Sequence, residues 1–474
     1  MFIRLLNFSF LLLALARTGT VAPADPEQTV VTPVTPVKIK KITPVKFEDS
    51  KLAHLVAEQK SHETQEHIEP EKKSGHDNTP GEPKKDIPHA PDPEFIPIKT
   101  IGDQTEVEVC SSLSLTGEEG QLGKQINDGM NLFFNKLKKD KKAQRLVKLY
   151  VLDDHSDFIK SKANLIELMH QSPALLNLYG SDVLLSKVKN LVEAKKIAAI
   201  FPIEGREVLR KPTYTQMIYL RASYEDELKA IVQFSITELN HKKFAAFYEA
   251  SDWGESVLQS LKKILATHNL TLLAEGAYPQ GTVNVSDAVS KISKTSPNTV
   301  LCIAQSRPAY SFILKAIDAG MYKSVFLGLS NLLSIQKNIQ KSLGVKLIVS
   351  SVVPDPEKST IPLAKQYRDD MKKYLPNRPI SPYSFEAYIN AMLFYEGIKE
   401  MQAPLATAQL ISRLEGITDV HGFKLSFDQT TRTLCHQVWI SDGSDKEWVL
   451  SHPKDTETPS TVYNEGENTE TERK

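Results

Sequence analysis

From about residue 99 onward, short apolar runs alternate with stretches whose apolar side chains recur every three or four residues. Gln121–Leu137 shows the second pattern: Leu122, Ile126, Met130, Phe133, Phe134 and Leu137 fall on one helical face. Around it, Thr105–Ser112 and Val147–Leu152 read as strands. Phe158–His170 reads as a helix, Leu175–Tyr179 as a strand, Val183–Lys195 as a helix and Ile197–Phe201 as a strand. After Met217–Arg221 the rhythm restarts. Helices are expected over Glu225–Asn240, Gly254–His268, Val285–Lys294 and Pro308–Gly320. They alternate with strands at Phe244–Tyr248, Thr271–Ala277, Thr299–Ala304 and Val325–Gly328. Lys346–Val353 adds a strand, and Thr360–Tyr374 and Tyr383–Met401 add helices. His421–Phe427 and Cys435–Ile440 are expected to pair as strands. Short apolar strands bounded by amphipathic helices specify an α/β fold with parallel sheets covered on both faces.

Two βα series of similar length predict two lobes, and the segments after the second series predict more than one crossing between them. Lobe 1 is expected over about 99–221 and 353–421, and lobe 2 over about 222–352 and 422–450. In such a body a ligand sits in the cleft, at the carboxyl ends of the strands.

The ends have a different pattern. Met1–Ala24 reads as an export signal: Arg4, then the apolar Leu5–Ala16, then the small-x-small sites Ala14–Ala16 and Ala22–Ala24. That core is shorter than the ~17–25 residues a spanning helix needs. No cysteine follows it for lipid attachment, and cleavage or retention as a weak anchor both stay open. Residues 25–98 are rich in Lys, Glu, Thr and His. Twelve of the 27 prolines but only two of the 21 glycines fall in Ala22–Ile98. This composition predicts a disordered linker reaching roughly 50 Å. Phe47–Gln59 has helix-like spacing within it, expected as a fleeting helix. Residues 451–474 are expected as a second polar tail.

Composition narrows the function. Lys+Arg and Asp+Glu are 58 each, so the formal net charge is zero, which argues against a nucleic-acid binder. Cys110, Cys302 and Cys435 are too few and too spread for a disulfide scaffold or zinc cluster and are expected as buried thiols. His62 and His67 imitate a zinc-protease helix but stand five apart, where that geometry needs four. Gly117–Gln125 imitates a phosphate loop, but its glycines are misspaced and Gln125 replaces the metal-binding hydroxyl. Asp153-Asp154-His155 is expected as a solvated loop, with Ser156 or Asp157 capping the next helix. No nucleophile elbow, dinucleotide fingerprint or Cys-x-x-Cys is present. No enzyme activity, cofactor or metal is expected.

The ordered landmarks resemble a family. Ser114-Leu115-Thr116-Gly117, Leu122–Gln125 and Asp128-Gly129 resemble the opening of type I periplasmic solute-binding proteins, in their leucine/isoleucine/valine-binding branch. Asp153-Asp154, Tyr179-Gly180-Ser181, Phe201–Gly205, Leu220–Ser223, Asp252–Glu255, Ala319–Met321, Phe326–Gly328, Pro382–Gly397, His421-Gly422 and Phe427-Asp428 follow in the family's order. The resemblance implies a two-lobed periplasmic-binding-protein fold that captures a small molecule for an ABC transporter in the bacterial periplasm. By position it implies Ser181, Glu204 and Gly205 as ligand contacts in lobe 1. Trp253, Gln305, Ser330 and Tyr383 match cleft-wall positions.

Two departures stand out. Amino-acid binders carry an acidic residue after the Phe326–Gly328 strand to pair with the ligand ammonium, and here Leu329-Ser330-Asn331 follows. Glu204 stands where a small or hydroxyl residue is usual and would repel a ligand carboxylate, unless it faces away. An ordinary α-amino acid is therefore not expected, at least not in the usual pose. An envelope regulatory module on the same fold, resembling penicillin-binding-protein activators, is the alternative that the long linker favours. Its partner would be an envelope protein rather than a permease. A chemosensory module fits less well. No nucleic-acid partner is expected, and membrane contact only through a retained signal.

Overall fold

A computed structural model describes residues 106–139, 143–180 and 184–451. The expected export signal, the 25–98 linker, its Phe47–Gln59 island, the His62/His67 pair and the polar tail lie outside the described residues.

The first lobe is built on a five-stranded sheet. Its elements are β1 (Glu106–Leu113), α1 (Gly120–Lys139), β2 (Leu146–Asp153), α2 (Phe158–Gln171), β3 (Ala174–Leu176), α3 (Lys189–Glu193), β4 (Ala198–Ile200) and β5 (Met217–Ile218). All five strands run parallel, in the order β2-β1-β3-β4-β5. The second lobe follows with α4 (Tyr224–Thr237), β6 (Phe244–Ala250), α5 (Asp252–Thr267), β7 (Leu272–Pro279), α6 (Ser286–Ser293), β8 (Thr299–Ile303), α7 (Ser306–Asp318), β9 (Val325–Gly328), α8 (Leu333–Leu343) and β10 (Leu347–Ser351). The chain then adds α9 (Pro362–Tyr374), α10 (Pro382–Ile398) and α11 (Thr407–Glu415). A hairpin of β11 (Asp419–Val420) and β12 (Phe423–Lys424) precedes β13 (Val438–Ser441) and β14 (Val449–Ser451). The second sheet has the order β14-β13-β10-β9-β8-β6-β7; β13 pairs antiparallel with β10, and β14 antiparallel with β13.

The expected strand pairing of His421–Phe427 with Cys435–Ile440 is not what forms. Residues 419–424 fold on themselves around His421 and Gly422, both at positive φ. The next strand, β13, joins β10 in the second sheet. Val438–Ile440 within it is apolar on both faces because the sheet edge it covers is buried, a pattern that does not specify its partner. Between hairpin and β13, Thr433 bridges Tyr219 at the first crossing. The helix α11 went unread because Thr407–Glu415 follows a Pro-containing turn and spans only nine residues.

Helix α10 organises the first lobe. Fifteen of its 17 residues are buried, so it is apolar all round rather than amphipathic. Ser381 caps it by accepting from Tyr383 N and Ser384 N, and Pro382 starts its first turn. It lies along α1, where a side chain at Gly129 would meet Ser384 O at 2.1 Å, so only glycine allows this approach. Phe133 stands edge-on to Tyr388 at 5.5 Å. Truncating such an aromatic costs about 3–5 kcal/mol. This packing fixes Tyr383 and Glu386, which face the second lobe, on a rigid support.

Candidate functional site

The strand ends of both sheets converge on one cavity of about 630 Å³. Ser114, Asp154, Tyr179 and Ile203 follow β1, β2, β3 and β4. From the second lobe, Glu249 to Trp253 close β6, Gln280 to Thr282 follow β7, Gln305 follows β8, and Ser330 and Asn331 follow β9. Arg221 and Tyr224 enter from the first crossing and Tyr383 from α10. The carboxyl ends of parallel strands lie along one edge of each sheet, which is why loops of both sheets contribute.

The cavity wall is held by a buried network. Arg221, on the crossing, donates from Nη2 to Ser330 Oγ at 2.8 Å. It lies 3.8 Å from Glu227 of α4 and 3.7 Å from Glu386 of α10. Burial alone would weaken the guanidinium's hold on its proton; Glu386 and Glu227 more than reverse this, so it stays charged. Burial pushes the Glu386 carboxyl up, with Arg221 opposing. Glu227 accepts from Ser330 N at 2.8 Å and from Ser350 Oγ at 2.6 Å, and Tyr383 donates its hydroxyl to Ser330 O at 2.8 Å. Ser330 is thus clamped through its amide, hydroxyl and carbonyl. A neighbouring cluster staples the crossing itself: Arg210 donates to Arg221 O, Thr433 Oγ1 and Glu204 O.

Asp154 is structural. It accepts from Ser114 Oγ at 2.7 Å, Ser161 Oγ at 3.0 Å and Ser156 N at 3.0 Å. Asp157 caps α2 through Lys160 N, as the sequence led us to expect. Glu249 is buried, and accepts from Tyr278 and Ser251 hydroxyls at 2.8 Å each. Glu119, half-buried at the start of α1, is pushed up to about 7 by burial first, then by the fields of Glu118 and Glu249. A hydrogen bond from Tyr179 opposes this.

Four of the seven sequence-predicted residues, Trp253, Gln305, Ser330 and Tyr383, line this one cavity. Ser181 lies outside the described residues, though Tyr179 and Gly180 before it line the wall. Glu204 and Gly205 do not line it. The Glu204 side chain is fully buried, accepts from Arg206 N at 2.9 Å and sits 3.5 Å from the Arg206 guanidinium. A side chain at Gly205 would strike the Tyr224 ring at 2.6 Å, so this turn backs the wall. Sequence reasoning missed Glu118, Glu119 and Glu249. Two of them stand between Gly117 and Leu122, in the gap between the two segments that carry the family resemblance, and Glu249 directly follows a predicted strand. The three cysteines are buried, and burial raises Cys110 and Cys435 to about 12 each. No group of metal-ligating side chains occurs among the described residues.

A family model described as periplasmic binding protein matches residues 106–446. The chain belongs to that family. Its fold is the two-lobed type I form, and its members are solute-binding receptors. Leu/Ile/Val-binding protein homolog 7 of Brucella abortus (strain 2308) is 24% identical over 199 residues, 40% of this chain and 50% of the relative. The chain thus matches about half the length of that curated relative. A possible leucine/isoleucine/valine-binding protein from Rhodopirellula baltica SH 1 superposes with a TM-score of 0.65 at 22% identity, covering 73% of this chain and 96% of that one. An ABC transporter solute binding protein from R. palustris in complex with benzoate gives 0.64 at 15% identity, over 74% and 95%.

Proposed function

We propose that this protein is an exported, periplasmic receptor. It captures a small polar molecule, amino-acid-like or related, in the interlobe cleft and delivers it to an ABC transporter. The observation that carries this is the cavity of about 630 Å³, walled by strand-end loops of both sheets. Closing two lobes on a ligand buries it from all sides, which suits capture followed by release. Trp253, Gln305, Ser330 and Tyr383 are the proposed wall contacts. Glu204 and Gly205 act from behind, and the charge Glu204 carries is spent on Arg206.

The relatives named for leucine, isoleucine and valine support an amino-acid-like ligand. The R. palustris structure holds benzoate, so the fold does not restrict the ligand to amino acids. Beyond the cleft, the Pro-, Lys- and Glu-rich 25–98 segment favours a second reading, an envelope regulatory module that reaches a protein partner.

Native mass spectrometry of the full chain as purified, then a thermal-shift screen of metabolites after refolding, tests the receptor reading. A ligand at about 100 times its dissociation constant adds about 2.7 kcal/mol. A co-purified small molecule or one clear stabiliser supports uptake. An empty protein that nothing stabilises refutes it and favours the regulator.

A further inference from the structure

The end of the first lobe away from the cleft is unbalanced in charge. α1 starts beside the cleft and runs away from it, packed against α9. Both helices finish in lysines: Lys138 and Lys139 in the last turn of α1, Lys372 and Lys373 in the last turn of α9. Lys139 and Lys373 lie over the half-buried Tyr374 ring, 4.8 and 5.0 Å from its centre, which joins the two helix ends. All four lysines are exposed, and none is in an ion pair among the described residues. The acids of α1, α9 and α10 are mostly taken by other cations: Asp128 by Arg378 at 3.3 Å, Asp370 by Lys136 at 2.6 Å, Glu386 by Arg221 and Glu396 by Lys399. Asp369, one turn before Lys372 and Lys373, is the exposed acid that remains on these helices. A helix dipole favours a cation at each of these ends, but four like charges on one face repel, a cost that an anionic partner removes.

A separate observation is where the chain enters. β1 runs towards the cleft, so its first residue, Glu106, lies at the far end, in register with Leu146, which the chain reaches soon after α1 stops at Lys139. Residues 1–105 are therefore joined to the lobe at the lysine-bearing end. They hold the apolar Leu5–Ala16, and between Gln28 and Phe47 they hold Lys38, Lys40, Lys41 and Lys46 with no acid. A basic stretch that follows an apolar one suits an anionic membrane surface. The opposite end of the lobe is acidic, with Glu118 and Glu119 at the cleft. The formal net charge of the chain is zero, so an anionic surface attracts one end and repels the other.

We infer that this face, Lys138, Lys139, Lys372 and Lys373 around Tyr374, rests on an anionic lipid surface. The lysines meet the lipid phosphates, and the Tyr374 ring, apolar at one end and polar at the other, sits at the level of the headgroups. β1 then points away from the bilayer, so the cleft opens away from it. This adds a contact of the folded lobe to the one expected from a retained signal, and it does not depend on what the cleft holds. Each lysine near such a surface favours binding about fivefold, so four give an association that is reversible and sensitive to salt.

Lysine acetylation footprinting of the full chain, read by mass spectrometry, tests the inference, because it reports each lysine separately from any binding by residues 1–105. The probes are vesicles of equal parts phosphatidylcholine and phosphatidylglycerol, with vesicles of phosphatidylcholine alone for comparison. The expected result is slower acetylation of Lys138, Lys139, Lys372 and Lys373 on the anionic vesicles only, lost in high salt, with no slowing at the exposed Lys323 and Lys337 of the second lobe. In Lys372→Gln with Lys373→Gln, both exposed positions, the vesicle concentration that half-protects Lys138 and Lys139 should rise at least about tenfold. Equal acetylation on the two kinds of vesicle, protection of Lys323 as strong as that of the four, or no change in the double variant overturns the inference. Soluble polyphosphate protecting the four lysines as well as the vesicles do also overturns it, and would assign the face to a soluble polyanion. None of these outcomes touches the receptor reading, which rests on the cleft.

Discussion

Replacing Arg221 by Met removes the one cation facing two buried carboxylates. Glu227 is fully buried and Glu386 is 3% exposed. After the substitution Glu227 keeps its bonds from Ser330 N and Ser350 Oγ, whereas Glu386 loses its ion-pair partner. Breaking a buried pair by deleting one member costs about 3–5 kcal/mol. For a folded part spanning 106–451, unfolding entropy of about 2.1 cal/mol/K per residue sums to about 0.7 kcal/mol/K, so the loss becomes about 4–7 °C in Tm. Differential scanning calorimetry of the apo protein at pH 7.5 measures it. The mechanism makes a second demand. Arg221→Met combined with Glu386→Gln leaves no unpaired charge on α10 and should regain at least half the loss. The deficit of the single variant should also shrink as pH falls, since a proton on Glu386 removes the same penalty. A Tm within about 1 °C of wild type for Arg221→Met, or a double variant less stable than the single, refutes the account.

Three further outcomes are expected. Glu119 in the folded protein titrates near 7, above its ordinary 4.5, through burial and the fields of Glu118 and Glu249. The stability it gives is therefore full below about pH 4.5 and lost as pH rises through 7. Glu119→Gln should gain on wild type in Tm between pH 5 and 8; a pH-independent difference refutes this. His436 is raised above 6.5, chiefly by its hydrogen bond to Asp226 at 2.9 Å. It stabilises below its unfolded pKa and ceases to as pH rises through the folded one, so the wild-type advantage over His436→Asn should be larger at pH 6 than at pH 9. Gly205→Ala should cost about 1–3 kcal/mol by displacing the Tyr224 ring, and calorimetry showing no loss would mean that the turn has room to spare.

The alternation of periods was enough to place the parallel strands, because a strand buried on both faces and an amphipathic helix each leave a pattern that depends on local neighbours alone. The same logic located the cleft: Trp253, Gln305, Ser330 and Tyr383 follow predicted strands or open a predicted helix, and loops at carboxyl ends share one edge by topology. Pairings made late in the chain were less legible. Val438–Ile440 is apolar enough for either sheet, and its choice of β10 is set by an edge that exists only once the second sheet has formed. Glu204 takes the alternative its sequence position left open and does not line the cleft. Its position along the chain put it at the cleft, but Arg206, two residues on, takes the charge inward.

The charge of the cleft was legible only in part. The sequence showed that no acid follows β9, which on its own argues against an ammonium-bearing ligand. The folded cleft brings in acids that the loop after β9 lacks. Glu118 and Glu119 reach it from the first lobe and Glu249 and Asp252 from the second, none of them adjacent to β9 in sequence. Net charge in a cleft belongs to the set of loops that topology assembles, and a motif comparison that reads one loop at a time counts a lost carboxylate without seeing its replacements. Two of these acids lie on each lobe, so closure brings like charges together. In the empty protein that repulsion should hold the lobes apart. Small-angle scattering of the empty protein should therefore show the lobes drawing together as salt rises; a lobe separation independent of salt would refute this account.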